Sequence, residues 1–584
     1  MNSVLAKMLR DGLLSEQAAK DVEALALGGR PLDEALLAAS GLDEESLLRY
    51  LSAEFRVPYV DLEACRPDKE FLSRFPARIL MAHRILPISQ EDGVVTVASN
   101  RLFDTSGLEE LRMACGLEVR PVLAPSAEIG RCINALLGVG ADTLQSLVSE
   151  AAEDGVEVLD GVAEEDMDLE TAAQDASIIK FVNQVLAEAI ERRATDVHFE
   201  PFENVLRVRY RVDGVLREAN IPPEVRQFQP AIVSRLKILS RLDIAEKRLP
   251  QDGRIKLKAS GREIDVRVSV IPMLHGEAVV LRLLDRSATL LGLEHLGMSQ
   301  EDRGLFEEIL TLPHGIVLVT GPTGSGKTTT LYAALSRINE IERKIVTIED
   351  PIEYHLHGIN QIQVSTKAGL TFSRGLRSIL RHDPDVILVG EIRDLETAEI
   401  AVHASLTGHL VFSTLHTNDA PGALTRLVDM GIEPYLVASS LEMVLAQRLV
   451  RLICPHCKVP VSCDDAATLR AEVGSQAPEA FYHGPGCRHC QGTGYLGRTG
   501  IFEMMAIDES IRAMVLERAS AGNIRKQAVR NGMKCLRDDG WRLVREGKTS
   551  VAEVLRVTKD ERANTVAHRD APAASGPLPR PTPG

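Results

Sequence analysis

GIVLVTGPTGSGKTTTLYAAL, from Gly315 to Leu335, is an apolar run followed by a glycine-rich loop and then by a helix-forming run. The loop from Gly321 to Thr328 has the pattern GxxxxGKT. Glycines at these positions let backbone amide groups curve around phosphate oxygens, and the start of a helix adds its positive end. The stretch therefore predicts a phosphate-binding loop between a buried strand and a helix.

This loop predicts a site for ATP and Mg²⁺. Lys327 is placed to reach the β and γ phosphates, and Thr328 to ligate magnesium. The predicted nucleotide-binding residues are Gly321, Pro322, Thr323, Gly324, Ser325, Gly326, Lys327, Thr328 and Thr329. The alternative, a purely structural glycine turn, is disfavoured because a strand precedes the loop and a helix follows it.

Polar residues follow three more apolar runs downstream. DPDVILVGEIRD ends in Glu391, KIVTIEDPIEYHL contains Glu349, Asp350 and Glu353, and HLVFSTLHTND leads to His416. Carboxylates at a strand end can orient a water molecule or hold a metal shell, and a histidine there can sense phosphate. The alternatives are an ordinary strand-end carboxylate, a solvated loop and a structural histidine.

Strands alternate with helices from about Leu290 to Val450, which predicts a mostly parallel sheet with helices on both faces. The region before it, residues 176–286, reads as an α+β domain. It contains the helical run IIKFVNQVLAEAIERRA, a hairpin turn at Asp213-Gly214, the helical run AIVSRLKILSRLDIA and the alternating strand REIDVRVSVI.

Residues 1–137 read as a helical region followed by a small mixed one, and we expect an independent docking domain. Ser15 and Asp43 have the features of helix N-caps, and Asp92-Gly93 those of a turn between strands. Residues 138–175 read as a flexible linker, because Ala141–Asp175 has twelve acidic residues and no lysine or arginine. Residues 561–584, rich in proline and alanine, predict a disordered tail.

Composition argues against a secreted, a membrane-spanning or a nucleic-acid-binding protein. The 584 residues are 45% hydrophobic and 26% charged, which is typical of a chain with several buried cores. The start lacks the apolar core of a signal peptide, and no long uncharged apolar run follows. We therefore expect a cytoplasmic chain whose membrane association is indirect. The net charge is −16, or about −4 outside the acidic linker, which gives no basic face for nucleic acid.

Two CxxC pairs, Cys454/Cys457 and Cys487/Cys490, lie twenty-nine residues apart among nine cysteines. Each pair lets two thiolates reach one tetrahedral ion, so the spacing predicts a closed structural Zn²⁺ site. A redox role is the alternative. Cys463, His456 and His489 lie within the same insert and are expected to be non-ligating neighbours.

The four blocks GPTGSGKT, TIEDPIE, ILVGEIRD and TGHLVFSTLHTND together resemble those of the bacterial type II secretion and type IV pilus ATPases. Upstream, TDVHFEP, RYRVDGVL, RLPQDGRI and DVRVSVIPMLHGEAVVLRLLD extend the resemblance across roughly residues 176–560. It implies an α/β fold with a RecA-like P-loop NTPase core over residues 287–450 and a PAS-like α+β domain before it. The zinc insert would occupy residues 451–500, and C-terminal helices residues 501–560.

The resemblance also implies residue roles. Glu353 becomes the general base, Glu391 the Walker B carboxylate and His416 the γ-phosphate sensor. Arg267 and Arg282 would approach the phosphates when the upstream domain closes, whereas from the residues alone they read as strand-surface arginines paired with acids. Arg377 and Arg381 lie four apart and are expected on one helix face. They would contact a neighbouring subunit or the nucleotide, with salt bridges as an equal alternative.

The family assembles as homo-hexamers that dock through the N-terminal domain, here residues 1–137, on an inner-membrane platform protein. Its assembly ATPases have a tetracysteine insert that its retraction ATPases lack. The sequences of the motifs are most similar to those of type II secretion ATPases. The alternatives are a pilus assembly ATPase and a nucleotide-binding scaffold without turnover. Some relatives bind cyclic di-GMP through tandem Arg-Leu-Gly patterns. Here only Arg30-Pro31-Leu32 survives, so such binding stays an open alternative.

Overall fold

The structure, a computed structural model, describes residues 3–62, 65, 67–138, 176–259, 262–285, 291–462, 466–467, 469–470, 473–474 and 477–558. It divides into two compact units, Met1–Ser287 and Ala288–Gly584, and each is described by itself. The predicted acidic linker lies outside the described residues except for Gly138, and the predicted tail lies wholly outside them.

The first unit begins with helices and a small sheet. Ser15 Oγ accepts a hydrogen bond from the Ala18 amide at 3.1 Å and Asp43 Oδ1 one from the Ser46 amide at 2.9 Å, so both predicted N-caps are confirmed. The helices before residue 138 are α1 (Ser3–Arg10), α2 (Glu16–Leu27), α3 (Leu32–Ala39), α4 (Glu44–Phe55), α5 (Lys69–Leu72), α6 (Ala77–His83), α7 (Ser106–Cys115) and α8 (Ser126–Leu137). The strands β1 (Ile85–Glu91), β2 (Val94–Ser99) and β3 (Glu118–Leu123) form one sheet in that order.

The rest of the first unit is an antiparallel sheet packed against helices, as predicted for an α+β domain. Its helices are α9 (Ala176–Glu191) and α10 (Gln229–Ser240). Its strands are β4 (Ala194–Pro201), β5 (Leu206–Val212), β6 (Val215–Glu218), β7 (Gln251–Ala259), β8 (Arg262–Met273) and β9 (Gly276–Asp285), in the order β6-β5-β4-β9-β8-β7.

Two details of this sheet test the sequence patterns. Asp213 and Gly214 have φ angles of 47° and 82° and connect β5 to β6, so the predicted hairpin turn is confirmed. The second helix was predicted to reach Ala245, and this is wrong. It ends at Ser240, because Arg241 adopts a left-handed conformation at φ 59° that terminates it.

The second unit is built on a seven-stranded sheet with the order β12-β11-β13-β14-β10-β15-β18. Its strands are β10 (Gly315–Thr320), β11 (Ile345–Glu349), β12 (Asn360–Gln363), β13 (Val386–Val389), β14 (Leu410–Leu415), β15 (Leu441–Ile453) and β18 (Tyr495–Ala506). All neighbouring pairs are parallel except β15 with β18. Its helices before β15 are α11 (Gln300–Ile309), α12 (Lys327–Ile338), α13 (Phe372–Ile379), α14 (Leu395–Leu406), α15 (Ala420–Asp429) and α16 (Pro434–Ser440).

Strand β10 is buried on both faces. Ile316 and Leu318 belong to one hydrophobic cluster, whereas Val317 and Val319 belong to another. Alternate residues of a strand point to opposite faces, so helices cover both sides of this sheet, as the apolar run predicted. The α/β fold of the core is therefore confirmed.

Because the six strands other than β18 run parallel to one another, the residues that follow β10, β11, β13 and β14 lie at one edge. Short strands β16 (Val459–Pro460) and β17 (Tyr482–His483) pair within the loop between β15 and β18. The chain then forms α17 (Glu509–Leu516), α18 (Ala521–Arg530), α19 (Leu536–Arg545) and α20 (Val551–Val557). Across the described ranges, no helix combines the length and apolar character needed to span a bilayer.

Candidate functional site

The loop after β10 has the shape that phosphate binding requires. Gly321, Gly324 and Gly326 have φ angles of 147°, 78° and 90°, which favour glycine. A Cβ on Gly321 would lie 2.6 Å from the carbonyl oxygen of Gln447, so the loop also packs too closely against β15 for a side chain there. Helix α12 starts immediately after Gly326, and its first amide groups are free of intrahelical partners by geometry.

Lys327 is folded onto this loop. Its Nζ donates hydrogen bonds to the carbonyl oxygens of Gly321 at 2.9 Å and Pro322 at 3.1 Å. Burial lowers the pKa of the ammonium, the nearby Glu391 carboxylate raises it, and Arg448 lowers it further. An ammonium ion and a helix N-terminus at one loop fit the triphosphate of ATP, and the adjacent Thr328 hydroxyl is an oxygen ligand of the kind Mg²⁺ takes.

Glu391 and His416 come together at the edge of the sheet. They follow the neighbouring parallel strands β13 and β14, and His416 Nε2 lies 3.2 Å from Glu391 Oε2. Arg393 Nη2 lies 2.5 Å from the other oxygen, Oε1. Both oxygens of the Glu391 carboxylate are thus engaged, which fixes its orientation beside the phosphate-binding loop.

Glu349, the last residue of β11, and Glu353, in the loop after it, lie in different environments. Glu349 is buried, and its carboxylate accepts hydrogen bonds from Tyr332 Oη at 2.5 Å, Thr347 Oγ1 at 2.6 Å and Gln361 Nε2 at 3.2 Å. A carboxylate satisfied in this way supports the loop rather than a metal ion. The amide of Glu353 donates to the same Tyr332 hydroxyl at 3.3 Å, so Tyr332 fixes the backbone that presents the predicted base.

Sequence patterns missed a polar pair in β15. Gln447 Oε1 accepts a hydrogen bond from Thr330 Oγ1 at 2.8 Å, behind the phosphate-binding loop. Arg448 Nη2 donates to Asn418 Oδ1 at 3.1 Å, two residues after His416. The signal was available, because Gln447 and Arg448 interrupt an otherwise apolar run between Met443 and Val450.

The predicted arginine pair on one helix face is not formed. Helix α13 ends at Ile379, so only Arg377 belongs to it, and Arg381 lies beyond its C-terminus. Arg377 Nη1 donates to Glu396 Oε1 at 2.5 Å, and Arg381 Nη1 to the Arg377 carbonyl at 2.9 Å. Within this unit Arg377 therefore forms a salt bridge, as the alternative interpretation predicted.

Arg267 and Arg282 lie opposite each other in the first unit. They are register partners on the antiparallel strands β8 and β9. Arg282 Nε donates to Asp196 Oδ1 at 3.1 Å, an ion pair with its guanidinium half exposed. The contact of both arginines with nucleotide stays a prediction.

Cys454, Cys457, Cys487 and Cys490 form a compact group whose sulfur atoms all lie within 4.8 Å of one another. Three of the Sγ–Sγ distances, 454–487, 457–490 and 487–490, are 3.8, 3.9 and 3.8 Å. A tetrahedral ion with sulfur ligands at about 2.3 Å has edges of about 3.8 Å, so the group fits zinc. The distances are too long for disulfide bonds, and the two CxxC pairs form one group of four sulfur atoms rather than two separate dithiols, which disfavours the redox alternative.

The protein around the cysteines favours thiolate at one of them. Burial opposes ionisation of Cys490, but hydrogen bonds from the amides of Cys487 and Gly494 outweigh it and lower its pKa to about 7. Burial raises the pKa of Cys457 to about 12. His456 and His489 lie outside the group, and their rings stack on each other with centroids 3.8 Å apart.

Known proteins match most of the chain. The model of the family described as "Type II/IV secretion system protein" matches residues 171–556, and that of the "MshEN domain" matches residues 55–142. A Pseudomonas aeruginosa protein named "Type II secretion system protein E" is 57% identical over 394 residues, 68% of this chain and 78% of that protein.

A second relative matches over nearly the whole length. The Myxococcus xanthus "Type IV pilus assembly ATPase PilB" is 42% identical over 560 residues, 95% of this chain and 98% of that protein. Among solved structures, the pilus retraction motor PilT with bound ADP is 26% identical and has a TM-score of 0.45, covering 65% of this chain and 97% of its own.

Proposed function

This chain belongs to the type II/IV secretion system protein family and is a secretion ATPase, and we propose that its ATP hydrolysis powers protein export through a type II secretion system. The observation that supports the ATPase site is the contact between Glu391 and His416 at the sheet edge where the phosphate-binding loop begins. The 57% identity with a type II secretion protein E supports the choice of machine.

We assign the reaction to named residues. The amides of the loop Gly321–Thr329 and the Lys327 ammonium bind the phosphates of ATP, and Thr328 would hold the magnesium ion. Bound Mg²⁺ would offset the charge that develops on the β and γ phosphates. Glu353 accepts a proton from the attacking water as general base. The Tyr332 hydroxyl orients Glu353 by accepting a hydrogen bond from the Glu353 amide.

We place Glu391 and His416 beside the attacking water, where their polar side chains line the site. When Nε2 of His416 carries a proton, it donates a hydrogen bond to Glu391. The position of the His416 ring would then respond to the charge at the γ-phosphate. Arg267 and Arg282, from the first unit, supply positive charge to the transition state when that unit closes over the nucleotide. Hydrolysis would then depend on closure, which links chemistry to movement.

The tetracysteine group supports export or assembly rather than retraction, since the family's retraction ATPases lack such an insert. Cys454, Cys457, Cys487 and Cys490 would hold one Zn²⁺ with a closed shell, which ties the ends of β15 and β18 together. The ion is structural in this proposal, and no step of hydrolysis passes through it.

We propose a cytoplasmic homo-hexamer that reaches the inner membrane only through residues 1–137, docked on the cytoplasmic part of a platform protein. The membrane association is thus indirect, and nucleic acid is not a partner. Cyclic di-GMP binding stays an open alternative: residues 55–142 match the MshEN domain, but of the tandem Arg-Leu-Gly pattern only Arg30-Pro31-Leu32 is present.

The alternative is a type IV pilus assembly ATPase. It is supported by the match to PilB, which extends over 95% of this chain, whereas the match to the Pseudomonas protein covers 68%. A deletion strain separates the two machines. Loss of enzyme export with normal surface pili supports type II secretion, and loss of pili with normal export supports pilus assembly.

A biochemical experiment tests the ATPase assignment itself. Purified protein should release phosphate from ATP, and Glu391→Gln should reduce the rate by about 100-fold. Glu399→Gln on the exposed face of α14 is the matched control, because it makes the same change away from the site. Equal, background-level rates in all three proteins would favour a nucleotide-binding scaffold.

A further inference from the structure

The four residues that follow His416 are each held by a different part of the second unit. The amide of Thr417 donates to Thr320 Oγ1, at the end of β10, at 2.9 Å. Asn418 accepts from Arg448 of β15. These two contacts tie the first half of the segment Thr417–Ala420 to the strands that flank the phosphate-binding loop.

The second half of the segment is held by the C-terminal part of the chain. Asp419 Oδ2 accepts from Arg525 Nη2 of α18 at 2.6 Å, across 106 residues of sequence. Its other oxygen, Oδ1, caps α15 by accepting from the Gly422 amide at 2.8 Å. One carboxylate therefore starts a helix and pairs with a guanidinium from another, and both groups are more than half shielded from solvent.

Glu503 of β18 makes a second connection. It is 1% exposed, and its Oε1 accepts from the Ala420 amide at 2.8 Å, while Oε2 lies 3.4 Å from the Leu536 amide. Ala420 is the first residue of α15 and Leu536 the first of α19, so one buried carboxyl group joins two helix N-termini. Its environment also contains Asp419 and Arg525, so these groups form one network.

The consequence follows from the position of the segment. His416, which contacts Glu391, directly precedes it, and a shift of Asp419 would move the histidine through only two intervening residues. Displacements of about 1 Å near a reacting group change rates by up to about 100-fold. A group that fixes Asp419 is therefore able to set the rate of hydrolysis without touching nucleotide.

We propose that Arg525 is a positioning residue for ATP hydrolysis: its ion pair with Asp419 couples the C-terminal helix α18 to the placement of His416 beside Glu391. A movement of α18 imposed from outside would reach the nucleotide site by this route. This inference rests on the proposed function, in which His416 and Glu391 face the reacting phosphate.

The test uses the full chain with Arg525→Ala and the matched control Arg530→Ala, which removes an exposed arginine from the same helix. We expect Arg525→Ala to lower kcat by about tenfold while KM for ATP changes less than about twofold. Arg525→Lys should recover part of the loss, since an ammonium still pairs with Asp419. Equal kcat values for Arg525→Ala and Arg530→Ala would overturn the proposal.

Asp419→Asn gives a second, independent measurement. Asparagine retains the oxygen that caps α15 but loses the charge that Arg525 requires. We expect the double variant Asp419→Asn/Arg525→Ala to be no slower than Arg525→Ala alone, because both changes break the same contact. Losses that multiply would show that Arg525 acts elsewhere and would contradict the proposal.

A readout without turnover separates this inference from the ATPase assignment. Hydrogen–deuterium exchange of the peptide containing residues 417–420 should be faster in Arg525→Ala than in Arg530→Ala. If the wild-type protein releases no phosphate but this difference is found, the proposed function fails and the positioning contact stands. If phosphate release is normal and exchange is equal in both variants, the positioning role fails alone.

Discussion

His416 Nε2 lies 3.2 Å from Oε2 of Glu391, a carboxylate 25 residues earlier in the chain. The two residues follow adjacent parallel strands, and Val389 of β13 is the register partner of Ser413 in β14. The contact depends on that register, because a shift of one residue would reverse which side chains face the site. The pairing of β13 with β14 therefore fixes the position of Glu391 relative to His416.

Removing the histidine should slow hydrolysis more than it weakens binding. We expect His416→Ala to lower kcat by about tenfold, because Glu391 loses one of its two fixed partners and turns away from the site. ATP affinity, measured by calorimetry, should change less than about threefold. His403→Ala, at an exposed position of α14, is the control. A loss of affinity equal to the loss of kcat would instead assign His416 to ground-state binding.

Tyr332→Phe should destabilise the second unit. The substitution leaves the buried Glu349 carboxylate without its 2.5 Å hydroxyl donor, and an unsatisfied buried group costs about 1–3 kcal/mol. Urea titration should show this decrease in the free energy of unfolding. Tyr435→Phe, where the ring is exposed, should change it by less than about 0.5 kcal/mol. Equal stability of the two variants would mean that Glu349 finds another donor.

Glu503 should make stability depend on pH. Burial raises its pKa to about 7, well above its ordinary value, so the folded state holds a proton that the unfolded state releases. The stabilising contribution is present below about pH 4.5 and is lost as pH rises through about 7. The wild-type free energy of unfolding, measured relative to Glu503→Gln, should therefore fall by up to about 1.4 kcal/mol per pH unit in this window and level off above it.

The comparison with Glu503→Gln cancels the titration of groups elsewhere in the chain. Glutamine retains an oxygen that accepts from the Ala420 amide, so the helix contact survives while the charge does not. Urea titrations of both proteins between pH 5 and pH 8 give the difference. A constant difference across that range would show that the Glu503 carboxyl titrates at its ordinary pKa.

The tetracysteine group should bind one zinc ion per chain. Elemental analysis of the purified protein should give about one equivalent, and Cys487→Ser should remove most of it and lower the melting temperature, because the ion closes the loop between β15 and β18. Cys65→Ser, at an exposed cysteine outside the group, should retain zinc and stability. Full zinc content in Cys487→Ser would show that the ion has other ligands.

Residue types and their spacing predicted the features that depend on local chemistry. The glycine-rich loop, the helix that starts at Lys327 and the N-caps at Ser15 and Asp43 follow from residue types and spacing. The alternation of strands and helices likewise predicted the α/β core. The helix after Gln229 was predicted too long, because nothing in its apolar pattern shows that Arg241 takes a left-handed conformation.

Contacts between residues far apart in the chain became visible in the folded protein alone. The order of strands in the sheet placed Glu391 against His416, and the fold of the C-terminal helices brought Arg525 to Asp419. It also separated Glu349, buried beneath Tyr332, from its neighbours in TIEDPIE. This difference arises because spacing along a chain fixes local conformation, whereas contacts between separate elements depend on how buried faces pack, which no short pattern encodes.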